Sequence, residues 1–406
     1  MLTRRACSRP AADAPGRPES EDEQENEGGG APHLQRHCTR ARQRARASAL
    51  NARMQELPVD APVRMAWDNR CSGEVWATLP RATTVFSAAE LRMAFCISFG
   101  LSCPEIVAEA ATGRTHFLDI PRRGRRGRRT ERRFDVFGQE LSLYGDKGNF
   151  RIGMHDDVKR ECTELANLCG LNARSEARDL FVAAVPPARR GEYTNATRRQ
   201  PLGGASRGGL VVDVVVENMP AQPDGHRHQQ MFEVKTLGHR RDRYGVGAAQ
   251  TPVTRREEEI PGEYNARAKE ADRRFCGTPR GEDGPIFTLL RSMSTVRGLV
   301  VGAYGEFGSG LDKFVGDLAK HASKNPERFG CCHGEEQARG VVAAMLRDRL
   351  GRVALRAAAR VRLAALRAVL RRPGVGEEYA ERHAHEVYDE WDRVRVRTHA
   401  PPPRQE

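Results

Sequence analysis

The run Gly209-Leu-Val-Val-Asp-Val-Val-Val-Glu217 constrains this chain more than any other stretch. β-Branched residues fill both of its alternating faces, and a strand that is apolar on both sides belongs at the centre of a sheet covered by helices. Asp213 stands in the middle of it. A carboxylate is costly there unless a partner or a metal compensates it. The turn formers Met219-Pro-Ala-Gln-Pro-Asp-Gly225 follow, and Gln230-Met-Phe-Glu-Val-Lys-Thr-Leu237 reads as the returning strand. Side chains alternate along a strand, so Glu233 and Lys235 share a face, which a hairpin can bring beside Asp213.

The surroundings predict an α/β domain. His155-Asp156-Asp157 precede a helix reaching Cys169, with Val158, Cys162, Leu165 and Cys169 as its apolar stripe and Gly170 as its stop. Leu171 to Phe181 reads weakly as a strand. Residues 263 to 275 are expected to be helical, Gly298 to Tyr304 a buried strand, and Leu311 to His321 an amphipathic helix. Around this core, 1–50 reads as a disordered tail with few large apolar residues, and 51–120 as a small, mostly helical subdomain. In that subdomain Ser87 and Glu90 have capping-box spacing. Residues 121–134 form an Arg-rich linker, 135–330 the main domain, 331–375 a helix rich in Arg, Ala and Leu, and 376–406 a C-terminal tail.

The net charge of +13 suggests an acidic partner such as nucleic acid. Sixty of the 67 basic residues are arginines, however, which looks like a whole-sequence bias. The seven lysines therefore attract attention, because an ammonium and a guanidinium are not interchangeable. Within the linker, Arg122, Arg123, Arg125, Arg126, Arg128 and Arg129 could track a phosphate backbone, or could simply be solvated under the same bias. No apolar run is long enough for a membrane-spanning helix, so a soluble chain with no membrane partner is expected. The start carries no apolar signal core, although its arginines and scarcity of acids would suit an organelle transit peptide. Ten scattered cysteines without a Cys-x2-Cys pair imply a reduced intracellular setting.

Two carboxylates and a lysine converging at a sheet suit metal-assisted phosphodiester hydrolysis. Asp213 and Glu233 would hold Mg²⁺ or Mn²⁺ through hard oxygen ligands, and Lys235 would orient the attacking water or contact the phosphate. An arginine would serve poorly in that role, since it neither gives nor takes a proton near neutral pH and its planar fork is longer. Glu161, about 60° from the apolar stripe of its helix, is a candidate additional acid or else a solvated flank.

Asp213 followed by Glu233-x-Lys235 on consecutive strands resembles the PD-(D/E)xK nuclease superfamily. That resemblance implies a restriction-endonuclease-like core, a central mixed β-sheet flanked by helices, with the helical N-terminal subdomain and the long C-terminal helix added to it. Asp135-Val-Phe-Gly-Gln-Glu-Leu141, Gly148, His155-Asp-Asp-Val158, Glu263-Tyr264 with Ala268 and Asp272, and Gly302-Ala-Tyr-Gly-Glu306 are similar to the endonuclease region of non-long-terminal-repeat retrotransposons. The likeness spans about residues 65 to 320. It implies a nuclear endonuclease acting on DNA, or a catalytically inactive nucleic-acid-binding remnant of a mobile element. Oligomeric state, target preference and a separate polymerase partner stay open. Gln139-Glu140 and Leu143-Tyr144 occupy positions where a Cys/His zinc knuckle is expected in that group, and Cys96 and Cys103 lack evident partners, so no structural zinc is expected.

Competing readings attach to each feature. Asp213, Glu233 and Lys235 could form a buried ion pair in an ordinary sheet. The Gly203 to Gly209 loop ahead of Lys235 imitates a kinase glycine-rich loop, but no Asp-Phe-Gly or catalytic-loop motif accompanies it. His226 and His228 read as solvated turn residues and Cys331-Cys332-His333 as loop groups, while Tyr264 has core spacing.

Overall fold

The computed structural model describes residues 30–58, 61–68, 76, 85–111, 116–119, 130–144, 150–198, 209–219, 229–239, 244, 252–330 and 334–370. The described chain is mixed α/β, with ten α-helices, a four-stranded mixed sheet and a separate two-stranded ribbon. The sheet comprises β3 (Asn172–Ala177), β4 (Val212–Glu217), β5 (Gln229–Thr236) and β6 (Arg297–Val301), in that spatial order. β4 runs antiparallel to both of its neighbours, β3 and β5, and β6 runs parallel to β5. The ribbon pairs β1 (His116–Asp119) with β2 (Thr130–Arg133).

Both faces of the sheet are buried, as the β-branched run requires. Val214, Val216, Phe232, Val234, Leu299 and Val301 pack with α5 (Phe150–Leu168), α9 (Ser309–Ala322) and α10 (Glu335–Leu370). Val212, Val215, Met231 and Val300 join the opposite core, which holds Tyr193 of α6 (Arg190–Arg198), Ile260 and Tyr264 of α7 (Pro252–Ala271), and Ile286 of α8 (Pro285–Ser292). A π turn, Asp272–Cys276, extends α7 and places Asp272 so that its carboxylate accepts from Ile286 N at 2.8 Å and Phe287 N at 2.9 Å, capping α8. Gly298 lets α7 cross β6 closely, since a Cβ there would lie 2.7 Å from Ile260 Cδ1.

The N-terminal helices are α1 (Gly30–Glu56), α2 (Pro62–Asp68), α3 (Ala88–Phe99) and α4 (Pro104–Ala110). The capping box forms, with Ser87 N donating to Glu90 Oε2 at 2.7 Å and Glu90 N to Ser87 Oγ at 3.3 Å. Gly100 ends α3 at φ +62°, where a Cβ would meet Pro62 O at 2.4 Å.

Four sequence expectations change. Residues 30 to 50 of the expected tail are helical, because Ala, Arg and Gln favour a helix even without an apolar face. Among the described residues of 51–120, Met65, Met93 and Ile106 share one core with the sheet, as α10 lays its Ala/Leu surface against both α3 and α5. The linker's last residues, Thr130 to Arg133, are strand, while Arg122, Arg123, Arg125, Arg126, Arg128 and Arg129 lie outside the described residues. α5 begins at Phe150, so His155 sits inside the helix instead of preceding it. Among the described residues no single helix is long and apolar enough to cross a membrane; α3 and α4, bent by 89°, pass such a test only as a pair and only by length and composition.

Candidate functional site

The site forms where the sheet divides. β4 and β5 pair from Glu217↔Gln229 to Val214↔Phe232. One further step in that register sets Asp213 opposite Glu233, and there the antiparallel ladder stops. Val234 N donates to the Asp213 carboxylate, Oδ2, at 3.0 Å, while β5 continues beside β6 from Phe232↔Arg297 to Thr236↔Val301. Asp213 thus spends its carboxylate on the backbone group exposed by the fork, and Glu233 enters the same gap from the other strand.

Lys235 Nζ pairs with Glu233 Oε1, and the Tyr264 hydroxyl lies against Glu233 Oε2 and 2.7 Å from Val211 O. Arg267, three residues on along α7, stacks its guanidinium 4.8 Å from the Tyr264 ring centroid and stands 4.0 Å from Glu233 Oε1. The three predicted residues therefore meet. Glu233 is 6% exposed at its side chain and Lys235 32%, so the acid is sealed within the fork while the ammonium faces its mouth.

α5 closes the other side. His155 Nε2 lies 3.1 Å from Asp213 Oδ2, and its Nδ1 lies 3.1 Å from Asp156 Oδ1. Lys159 then bridges Asp156 at 3.0 Å and Glu176 of β3 at 2.8 Å. Glu176 holds φ +52°, an uncommon conformation for a residue other than glycine, in the gap between the pairs Ser175↔Val214 and Ala177↔Val212, which puts it across from Asp213. A continuous chain of charge runs from Glu176 through Lys159, Asp156 and His155 to Asp213 and Glu233.

The electrostatics follow. Burial opposes the charge on His155, but hydrogen bonds to Asp156 and Asp213 outweigh it and raise its pKa to about 9. Burial likewise opposes ionisation of Asp213, and the His155 bond and charge, with Lys235, bring it down to about 2. Glu233 moves the other way. Burial and then the neighbouring Asp213 charge raise it, against the pull of Lys235. Two acids forced together with their pKa values driven apart are a familiar basis for a functional site.

Among the described residues no group of three or more His, Cys, Asp or Glu side chains is arranged to hold a metal ion. The fork offers two hard carboxylates instead, and both hydrogen bonds that Asp213 accepts from described residues fall on Oδ2. That donor set fits Mg²⁺, which is commonly held by one or two carboxylates plus water and substrate phosphate.

Glu161, the candidate additional acid, is not in the fork. It is buried on the α10 side of α5 and ion-paired with Arg349 at 2.8 Å. Cys103 donates to Glu105 Oε2 at 3.0 Å, and Cys96 Sγ to Ser102 O at 3.4 Å. His226, His228, Cys331, Cys332 and His333 lie outside the described residues. Sequence reasoning missed His155 and Arg267. The position of Arg267, one helical turn from Tyr264, was a readable signal once Tyr264 is on the site; His155 gave none, because its partner is on another element. No family model, curated relative or solved structure matches the chain.

Proposed function

We propose that the chain is a metal-dependent DNA endonuclease hydrolysing phosphodiester bonds, built on a restriction-endonuclease-like core of the PD-(D/E)xK type and related to the endonuclease of non-long-terminal-repeat retrotransposons. The observation that carries this reading is the fork: Asp213 and Glu233 face one another where β4 and β5 part, with Lys235 on the same carboxylate. The element order supports it, since α5, β3, β4, β5, α7 and β6 give a helix, three antiparallel strands, a crossover helix and a parallel fourth strand.

Asp213 and Glu233 would hold Mg²⁺ or Mn²⁺, which supplies Lewis-acid stabilisation of the phosphate charge and a more acidic water. Each residue then has a distinct task. His155 and the Val234 amide fix Oδ2 of Asp213 and so orient its carboxylate. Tyr264 and Arg267 hold Glu233 from the α7 side. Lys235, the most exposed member of the Glu233 contacts, positions water and meets the phosphate. A DNA substrate implies a nuclear setting, and the arginines from Arg122 to Arg129 would add backbone contacts.

The test is incubation of the purified chain with supercoiled plasmid and Mg²⁺, beside Asp213→Ala and Lys235→Ala. Nicking by the parent alone is expected. Equal nicking by all three, or none by any, overturns the reading. The catalytically silent, nucleic-acid-binding alternative has one observation in its favour: His155, Lys235 and Tyr264 already satisfy the two acids without a metal. It requires salt-sensitive DNA binding without cleavage.

A further inference from the structure

The strongest unassigned surface is α1. From Ala41 to Leu50 every residue of this helix is exposed, and no acid occurs on it before Glu56. Arg42, Arg44, Arg46 and Arg53 are exposed and have no acidic partner among the described residues. Arginines elsewhere in the fold are commonly matched, as in Arg92–Glu105, Arg160–Asp157, Arg174–Asp179 and Arg256–Glu263. At about 100° per residue, Arg42, Arg46 and Arg53 fall within about 40° of one another, and Arg44 falls nearly opposite.

Described contacts tie the C-terminal end of the helix to the body. Trp67 Nε1 donates to Asn51 Oδ1 at 2.9 Å, and Arg64 donates to Gln55 O at 3.1 Å and to Gln55 Oε1 at 2.7 Å, covering the C-terminal carbonyls. Asn51 and Met54 are the half-buried residues of this end. They point about 120–180° around the helix from Arg42, so the arginine stripe faces away from the body. Like charges one turn apart destabilise an isolated helix, and Arg42 and Arg46 have that spacing. Such a helix lacks the covering charge that would stabilise it.

We infer that α1 lies in the major groove of duplex DNA, with Arg42, Arg46 and Arg53 on one phosphate wall and Arg44 on the other. An α-helix about 10–12 Å across matches the roughly 12 Å major groove of B-form DNA. The deep, narrow major groove of A-form RNA does not admit side chains in this way. An anionic bilayer would require an apolar face, and α1 has no continuous one: Leu50 is its sole exposed large apolar residue among those described. The inference rests on DNA as the partner in the reading above, but not on cleavage.

The experiment is fluorescence anisotropy of the full chain with a labelled B-form duplex in EDTA, at several salt concentrations, in an Asp213→Ala background so that hydrolysis plays no part. Three phosphate contacts contribute about 2.7 to the slope of log K against log salt, or roughly a 40-fold change in affinity between 50 and 200 mM salt. The triple substitution Arg42→Gln, Arg46→Gln and Arg53→Gln is expected to remove that share, and the corresponding triple Lys variant to keep it. A charge control, Arg255→Gln with Arg273→Gln and Arg291→Gln, alters exposed arginines elsewhere and is expected to have a much smaller effect. Equal losses in the control and α1 variants would overturn the inference, as would equal losses in the Lys and Gln variants. Tighter binding to an RNA duplex of the same sequence, or to phosphatidylserine vesicles, would overturn it as well. Failure of plasmid nicking with α1-dependent duplex binding intact would instead count against the nuclease reading alone.

Discussion

Replacing Glu306 by Gln should remove a measurable part of the chain's pH dependence. Glu306 closes the turn after β6, where Gly302 N donates to Glu306 O at 2.9 Å. Its side chain is sealed: Tyr244 donates its hydroxyl hydrogen to Oε1 at 2.8 Å, and Tyr304 N donates to Oε2 at 2.9 Å. The Tyr244 oxygen in turn accepts from Ala303 N at 2.9 Å, and Arg362 reaches Gly138 O at 3.1 Å and Ala303 O at 3.2 Å. Burial raises the Glu306 pKa from 4.5 to about 7 despite those donors. A carboxyl whose pKa is higher in the folded state binds its proton more tightly there, so folding is weakened as pH rises from the unfolded value through the folded one. At about 1.36 kcal/mol per pH unit the full loss is about 3 kcal/mol, of which about 2.5 kcal/mol falls between about pH 5 and about pH 8. Urea denaturation of the parent and of Glu306→Gln at those two pH values measures it directly. The parent should lose about 2.5 kcal/mol more than the variant across that interval, because Gln titrates nowhere in it. Identical pH dependence in the two proteins would refute the argument.

Other consequences can be read the same way. Tyr264→Phe deletes the hydroxyl shared by Val211 O and Glu233, and should cost about 1–2 kcal/mol in urea denaturation. Glu161→Gln should weaken folding by about 1–3 kcal/mol by stripping charge from the buried Arg349 pair, while plasmid nicking per folded molecule stays at the parental level; lost nicking at unchanged stability would return Glu161 to the site. Gly298→Val should cost about 1–3 kcal/mol and reduce nicking, since its Cβ would fall 2.7 Å from Ile260 Cδ1 and 3.0 Å from Glu257 Cα and push α7, with Tyr264, off the sheet.

The parts of the site legible in the sequence were those set by local periodicity. Asp213 broke an apolar strand, and Glu233 and Lys235 shared a face because strands alternate. The fork itself was not legible, because it depends on β5 leaving β4 to run beside β6, a pairing with a strand far along the chain. Helical geometry alone also misdirected Glu161. An angle on a helix says which side a residue occupies, not which element covers that side, and α10 covers this one. α1 was read as tail because it has few large apolar residues, yet apolar spacing reports packing, and Ala41 to Leu50 of α1 are all exposed. His155 required both errors to be undone: α5 had to begin earlier, and its second turn had to face the fork.

The lysine bias gives the last and sharpest expectation. Two of the seven lysines, Lys159 and Lys235, stand in the same charge network, one between Asp156 and Glu176 and the other on Glu233. An ammonium is compact and takes Glu233 Oε1 alone, leaving Oε2 to the Tyr264 hydroxyl, whereas a planar guanidinium tends to take both oxygens of a carboxylate in a fork. Arg267 already stands 4.0 Å from Glu233 Oε1, so a second guanidinium would crowd a carboxylate that is almost sealed. Lys235→Arg should therefore preserve the charge, the fold and duplex binding in EDTA, yet lower Mg²⁺-dependent nicking by at least tenfold, equivalent to about 1.4 kcal/mol in the barrier. Parental nicking by Lys235→Arg would mean that the site needs only a positive charge at this position, and the scarcity of lysine would then say nothing about chemistry.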